Sequence, residues 1–296
     1  MNLVKNDIFA YSGKMPFAEH IAGDVMAAVI GDPIAHSKSP LMHTSWLKDA
    51  GFTGRYVPFH VYPQDLESFL DACRDSQMRG FNATLPHKQA LMKLCDELDD
   101  EAAAIGAVNT VTIQNDILIG TNTDAFGFTE NIRRQASDVD FKAGPALVIG
   151  AGGASRAVLY GLCHEACPEI YVTNRTLEKA QNVAKLNKKI KVIPWEKRDE
   201  YVGQSSLIVN TTSLGMVGHP PLELDLSTVK PETLVNDIVY TPLQTPLLQD
   251  AKAQGCRTVT GLGMLIEQGR KSFHHWFGIW PRPDEKLPGL LLGESA

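Results

Sequence analysis

"ALVIGAGGAS", residues 146–155, is the stretch on which the fold turns. An apolar run reads as a buried strand, a glycine-rich turn follows it, and "RAVLYGLC" continues in a helical pattern. Gly150 permits the tight turn after the strand, and Gly152 lets the backbone come close to a pyrophosphate. The helix beyond supplies N–H donors and a favourable dipole for that anion. Ser155 stands where the usual fingerprint has its third glycine. Alone, the loop could be a tight turn between strand and helix; its strand–turn–helix setting points to a dinucleotide.

The end of the next strand narrows the cofactor. NAD sites usually carry an acid about 20 residues on, bound to the ribose. Here "EIYVT" is followed by Asn174, Arg175 and Thr176, with Lys179 one turn later. A guanidinium can grip a 2′-phosphate that a carboxylate would repel, so NADP is favoured over NAD. Further strands are read in "SLIVNTT", "TLVNDIVY" and "RTVTG", and an amphipathic helix in residues 264–278. The tail after it has room for one short helix.

Working back toward the N-terminus, "VMAAVIG", "RYVPFHV" and "GFNAT" read as strands separated by helices near 40–50 and in "QDLESFLDACRDS". Two short strands flank a turn at Asn115 and Asp116. Such alternation indicates α/β layers, and 296 residues suit two domains of ordinary size. Residues 1–24 are mixed in character and read as an extension over the body.

The composition excludes several classes of function. With 28 basic and 34 acidic residues the net charge is −6, which argues against a general nucleic-acid or anionic-membrane surface. No apolar leader and no run of about 18 apolar residues occurs, which points to the cytoplasm. The odd count of five cysteines fits reduced thiols better than a disulfide framework. Cys163, His164 and Cys167 lie in a helical pattern with no second ligand cluster, so no metal is expected. His36 and His43 read as capping or packing residues, and "SFHHWFGIW" as core closure.

Ligands of open α/β sheets gather beyond the carboxyl ends of the strands. In the first half the polar residues there are Ser37 and Ser39, then Asn82, Thr84 and Lys88, then Asn109, then Asp124. Each has a dull explanation as a cap or a solvated flank, but together they suit a small polyhydroxylated substrate with a carbonyl–alcohol pair. The spacing of Leu91, Leu94, Cys95 and Leu98 predicts a helix that Thr84 would cap and whose first turn would hold Pro86. Lys88 would then lie where the helix dipole disfavours a cation, a placement suited to proton transfer in partnership with Asp124.

These residues resemble the shikimate dehydrogenase family, with its quinate/shikimate relatives. "VIGDPIAHSKSPLMH", "GFNATLPHK", "AIGAVNTV", "GTNTDAFGF", "VIGAGGASRA", "TNRT", "NTTSLGM" and "GLGMLIEQG" follow its signatures in order, over residues 25–278. Ala83 stands where the family often has valine, and Lys179 where many NADP-using members have arginine. The resemblance implies a substrate domain of residues 1–127 and 262–296 with a mixed sheet. A Rossmann-type NADP domain of residues 128–261 would interrupt it, the C-terminal helices returning to the first domain. It further implies Lys88 and Asp124 as the catalytic pair. Ser37 and Ser39 would bind the substrate carboxylate, and Thr84, Asn109 and Gln268 its hydroxyls and neighbouring groups. NADP would lie against Gly150, Ala151, Gly152, Gly153 and Ala154, and against Asn174, Arg175, Thr176 and Lys179. Thr211, Ile238, Tyr240 and Gly261 would complete its contacts.

The implied activity is NADP-dependent reduction of 3-dehydroshikimate to shikimate, on the route to aromatic amino acids, by a cytoplasmic monomer or homodimer. The serines of "HSKSP" tilt the choice from quinate toward shikimate. The alternatives are a quinate/shikimate dehydrogenase of broader cofactor use, a non-catalytic dinucleotide-binding regulator, and an unrelated two-domain dehydrogenase. Retention of both Lys88 and Asp124 speaks against the regulator.

Overall fold

The computed structural model describes residues 9–10, 17, 21, 23–282 and 286–293, so most of the expected extension over 1–24 lies outside the described residues. The chain divides into two compact units, residues 1–123 with 269–296, and residues 124–268. The boundary expected after residue 127 falls inside the helix Asp124–Gln135, and that expected after 261 falls at the start of the helix Leu262–Phe277.

The first unit is built on a seven-stranded mixed sheet. Its strands are β1 (Phe9–Ala10), β2 (Val25–Gly31), β3 (Arg55–His60), β4 (Gly80–Ala83), β5 (Glu97–Leu98), β6 (Thr110–Gln114) and β7 (Ile117–Thr121). They lie in the order β1-β3-β2-β4-β6-β7-β5. β2 runs parallel to β3 and β4, whereas β6 is antiparallel to β4 and β7. The β6–β7 hairpin turns on Asn115 and Asp116, both at positive φ (50° and 65°), the conformation that gives a two-residue hairpin the twist of its strands. Ala28, Ile30, Phe59, Phe81, Val111 and Leu118 are among the residues that make its core.

The second unit holds six parallel strands: β8 (Ala146–Ile149), β9 (Ile170–Thr173), β10 (Ile190–Val192), β11 (Leu207–Asn210), β12 (Leu234–Asp237) and β13 (Arg257–Val259). Their order is β10-β9-β8-β11-β12-β13. All four residues of β8 are fully buried, as a central parallel strand with both faces covered requires. The order in which successive strands are added reverses between β8 and β11, and ligands of such sheets bind beyond the carboxyl ends of the strands at that switch point. The helix Gly153–His164 packs Val158, Leu159 and Leu162 into the core beside Phe128 and Ile132 of the helix Asp124–Gln135.

The helix expected over residues 86–98 is a correction. Only Leu91–Leu94 is helical; Leu85–Ala90 are turns, and the Leu85–Pro86 peptide is cis. The four-residue helix has Ala90 as its N-cap residue, so Thr84 caps nothing, and the dipole argument for Lys88 has no helix behind it. The apolar spacing belongs to a short helix followed by β5, with Leu91 buried and Leu94, Cys95 and Leu98 packed against the same core. The tail does carry a short helix, Leu287–Leu292.

Among the described residues all five cysteines are free, and no cluster of His, Cys, Asp and Glu could hold a metal. Burial pushes the Cys163 thiol up to about 11 and holds Cys167 above its usual range, so both stay protonated. Among the described residues no helix is long and apolar enough to cross a membrane.

Candidate active site

In the first unit the polar residues singled out above gather along one edge of the mixed sheet. β2 and β4 are parallel, so both end there, with Ile30 opposite Ala83. β6 is antiparallel to β4 and therefore begins there, which brings Asn109, the residue before it, to the same edge. The loop after β2 carries Ser37 and Ser39, and the turn after β4 carries Thr84 and Lys88. Backbone bonds lock these segments together: Thr84 N–H donates to the Ile30 carbonyl (2.9 Å), Asp32 N–H to Leu85 (3.0 Å) and Ala83 N–H to Asn109 (2.8 Å). Val108 N–H donates to the Lys88 carbonyl (2.9 Å), so the lysine turn is tied directly to the segment that presents Asn109. Gly31 allows the closeness of the two loops, because a Cβ there would meet the Thr84 methyl at 2.5 Å.

Ser39 opens the helix Ser39–Asp49 but does not cap it through its side chain; its backbone N–H reaches Ser37 Oγ (3.3 Å). The Ser39 hydroxyl stands near the Tyr56 phenol and favours its ionised form. The phenol donates to Asn82 Oδ1 (2.8 Å), and burial holds its pKa well above the tyrosine range. Asn82 Nδ2 donates to Thr110 Oγ1 (3.0 Å) and Ser272 Oγ (2.9 Å). Asn109 Oδ1 accepts from Thr123 N–H (2.8 Å) and Thr110 Oγ1 (3.0 Å), while its Nδ2 donates to Thr123 Oγ1 (3.0 Å). Asn82, Asn109, Thr110, Thr123 and Ser272 are all at most 5% exposed. In a low-dielectric interior such a network fixes side-chain orientation when its members are satisfied.

Sequence reasoning had Asn82 among the polar strand ends but missed Tyr56, Thr110, Thr123 and Ser272 as its partners. The usable signal was Ser272, one turn beyond Gln268 and therefore on the same helical face. His43 is a packing residue, stacked on Tyr56 (4.3 Å between ring centres, 6° between planes) and fully buried. Burial lowers its pKa to about 3.

Asp124 and Gln268 open and close the second unit. Asp124 begins the helix Asp124–Gln135, and Gln268 lies in the helix Leu262–Phe277, where its Nε2 donates to Leu265 O (2.9 Å). Gly127 brings the two helices together: a Cβ there would lie 2.8 Å from both the Gln268 Cβ and the Met264 carbonyl. Asp124 and Gln268 are each 9% exposed.

The remaining candidates line the carboxyl edge of the parallel sheet. Gly150 has φ +111°, and a Cβ on it would strike Thr211 Oγ1 at 2.5 Å, so turn and packing both demand glycine. A Cβ on Gly152 or Gly153 would meet no atom of the chain within 4 Å. Packing within the protein does not require those two glycines, which fits a loop approached by a pyrophosphate from outside. Ser155 is fully buried and donates to the Gly152 carbonyl (2.7 Å), bracing the loop from the helix side. Asn174 braces it from the next strand, accepting from Ala151 N–H (3.2 Å) and donating to Thr176 O (3.0 Å). Arg175, Thr176 and Lys179 are exposed beyond it.

On the other side of the switch point, Thr211 donates to Ile149 O (2.8 Å), and Ile238 N–H to Asn210 O (3.1 Å). The buried Asp237 carboxylate accepts from Asn210 Nδ2 (3.0 Å), Val239 N–H (3.0 Å) and Thr245 Oγ1 (2.7 Å), which shapes the segment carrying Ile238 and Tyr240. Burial raises the pKa of both Asp237 and Tyr240. Gly261 lets the chain pass that segment, since a Cβ would lie 2.2 Å from Ile238 O.

Residues 29–111 match the family described as shikimate dehydrogenase substrate binding domain, and residues 131–217 match shikimate/quinate 5-dehydrogenase. A curated shikimate dehydrogenase (NADP(+)) of Rhodospirillum rubrum is 46% identical over 275 residues, spanning 91% of this chain and 97% of its own. A Thermus thermophilus shikimate 5-dehydrogenase, solved in complex with NADP(H) and shikimate, is similar at TM-score 0.81 and 38% identity, with 92% of this chain and 100% of that one covered. A Corynebacterium glutamicum quinate dehydrogenase in complex with NAD is similar at TM-score 0.84 and 28% identity, covering 91% and 99%.

Proposed function

The chain belongs to the shikimate dehydrogenase family, and we propose that it reduces the C3 carbonyl of 3-dehydroshikimate to the alcohol of shikimate, reversibly, with NADPH. The observation that carries the reading is the gathering of Ser37, Ser39, Thr84, Lys88 and Asn109 along one edge of the mixed sheet, in a chain whose other sheet carries a braced glycine loop. Ser37 and Ser39 bind the carboxylate through their hydroxyls. Thr84, Asn109 and Gln268 hold ring hydroxyls and neighbouring groups.

The cofactor supplies hydride when bound. The glycine loop receives its pyrophosphate, and Arg175 with Lys179 carries the positive charge suited to a 2′-phosphate. Thr211, Ile238, Tyr240 and Gly261 serve the same ligand beyond the switch point. Lys88 delivers the proton to the C3 oxygen during reduction and takes it back during oxidation, with Asp124 orienting the ammonium. Proton transfer by a positioned side chain contributes typically 10²–10⁴-fold to rate, about 3–5 kcal/mol of barrier. The net charge of −6 supports work away from nucleic acid and anionic membrane surfaces, and the chain acts in the cytoplasm as a monomer or homodimer.

The deciding experiment is a set of initial rates for shikimate and quinate oxidation, each with NADP and with NAD, on wild type beside Lys88→Ala. Activity confined to shikimate with NADP and lost in the variant supports the reading. Comparable rates with quinate or NAD move the chain to the broader-specificity relatives, and inactivity with every pair restores the non-catalytic regulator.

A further inference from the structure

We infer that Ser272 is a positioning residue for substrate hydroxyl recognition, through the buried hydrogen-bond cluster of Asn82, Thr110 and Thr123 that holds Asn109. The inference rests on the functional reading above, in which Asn109 holds a ring hydroxyl.

Ser272 Oγ lies within hydrogen-bond reach of Asn82, Thr110 and Thr123. The Asn82 amide, whose Oδ1 accepts from the Tyr56 phenol (2.8 Å), donates toward Ser272 Oγ (2.9 Å), Thr110 Oγ1 (3.0 Å) and the Asn109 carbonyl (3.3 Å). Thr110 donates to Asn109 Oδ1 (3.0 Å) and stands 2.8 Å from Ser272 Oγ. Asn109 Nδ2 donates to Thr123 Oγ1 (3.0 Å), which stands 3.2 Å from Ser272 Oγ. The two side chains that bond the Asn109 amide thus both meet the Ser272 hydroxyl, which is fully buried.

Removal of that hydroxyl has a specific consequence. Asn82, Thr110 and Thr123 each lose their contact to it. Thr110 and Thr123 are bonded to the Asn109 amide, at Oδ1 and Nδ2, so their rearrangement is passed to it. The perturbation falls on the Asn109 amide, which presents itself to the ring hydroxyl, rather than on the apolar core.

The test measures kcat and KM with NADP for shikimate and for its 4-deoxy and 5-deoxy analogues, on wild type, Ser272→Ala and Ser272→Cys, with thermal midpoints beside them. Ser272→Ala is expected to raise KM for shikimate about tenfold, the scale of one hydrogen bond, while KM for NADP stays unchanged. The larger of the two preferences for shikimate over a deoxy analogue shrinks by a similar factor. Ser272→Cys keeps the size and a weak donor and falls between the two. A lowered midpoint with both preferences intact would make Ser272 a structural residue only and overturn the inference. Should Ser272→Ala fail to fold, the preference measured in Ser272→Cys decides by the same criterion. A wild type that oxidises neither shikimate nor any analogue removes the functional reading itself, and this inference with it.

Discussion

Gly127 lies so close to Gln268 that a Cβ on the glycine would stand 2.8 Å from the Gln268 Cβ. On an exposed helix, replacing glycine by alanine gains roughly 0.5–1 kcal/mol. Here the added methyl must push two helices apart, and overpacking of this kind costs about 1–3 kcal/mol. Gly127→Ala is therefore expected to be destabilised, with a raised KM for shikimate because Gln268 moves. Urea melts and steady-state kinetics check it; a variant more stable than wild type would show that the helices yield freely.

Lys88→Ala is expected to cut turnover by two to four orders of magnitude, the range of general acid–base catalysis, while shikimate binding stays largely intact. Rates together with equilibrium binding of shikimate separate the two effects. An unchanged kcat would remove the lysine from proton transfer.

Arg175 is exposed, and Asn174, which braces the glycine loop, is not altered by replacing it. Arg175→Ala should raise KM for NADP by about tenfold or more and leave KM for NAD nearly unchanged. Equal changes for the two cofactors would mean that the guanidinium does not meet the 2′-phosphate.

His43 makes stability depend on pH. Its ring is fully buried, neither nitrogen has a hydrogen-bond partner among the described residues, and its pKa is lowered to about 3. Above the ordinary histidine value both folded and unfolded chains hold it neutral. As pH falls below about 6.5 the unfolded chain gains a proton that the folded chain refuses, so stability drops by up to about 1.4 kcal/mol per unit until the folded pKa is reached. His43→Phe, which keeps the ring stack on Tyr56, removes that contribution. The stability of wild type relative to the variant should fall between pH 6.5 and 4 in urea melts; His87 and His275, also lowered by burial, keep their own slopes in both proteins.

Most of the scaffold was legible because buried strands announce themselves. "VMAAVIG", "RYVPFHV", "ALVIG" and "SLIVN" are apolar runs ending in turn residues, and each is a strand with its polar successor at the carboxyl edge. Two short strands, Glu97–Leu98 and Ile190–Val192, were not distinguished, having too few residues for a pattern. The helix read around Lys88 failed because the apolar spacing there arises from turns, a four-residue helix and a strand packed on one core. The buried network escaped for a different reason. Asn82 and Ser272 are 190 positions apart, and nothing local to a neutral serine reveals the amide that tertiary structure brings to it.

The division of the chain also orders its assembly. Residues 124–268 form one continuous unit, whereas the other needs both residues 1–123 and the segment from 269 onward. Domains generally fold as units while the chain is made. The nucleotide half can therefore close as soon as its own stretch has left the ribosome. The substrate half, although synthesised first, waits for Ser272 and Trp276, the latter donating to Val111 O (3.0 Å) on the interior strand β6. A nascent chain halted at Gln268 would carry the complete glycine loop and a first unit without its closing helix.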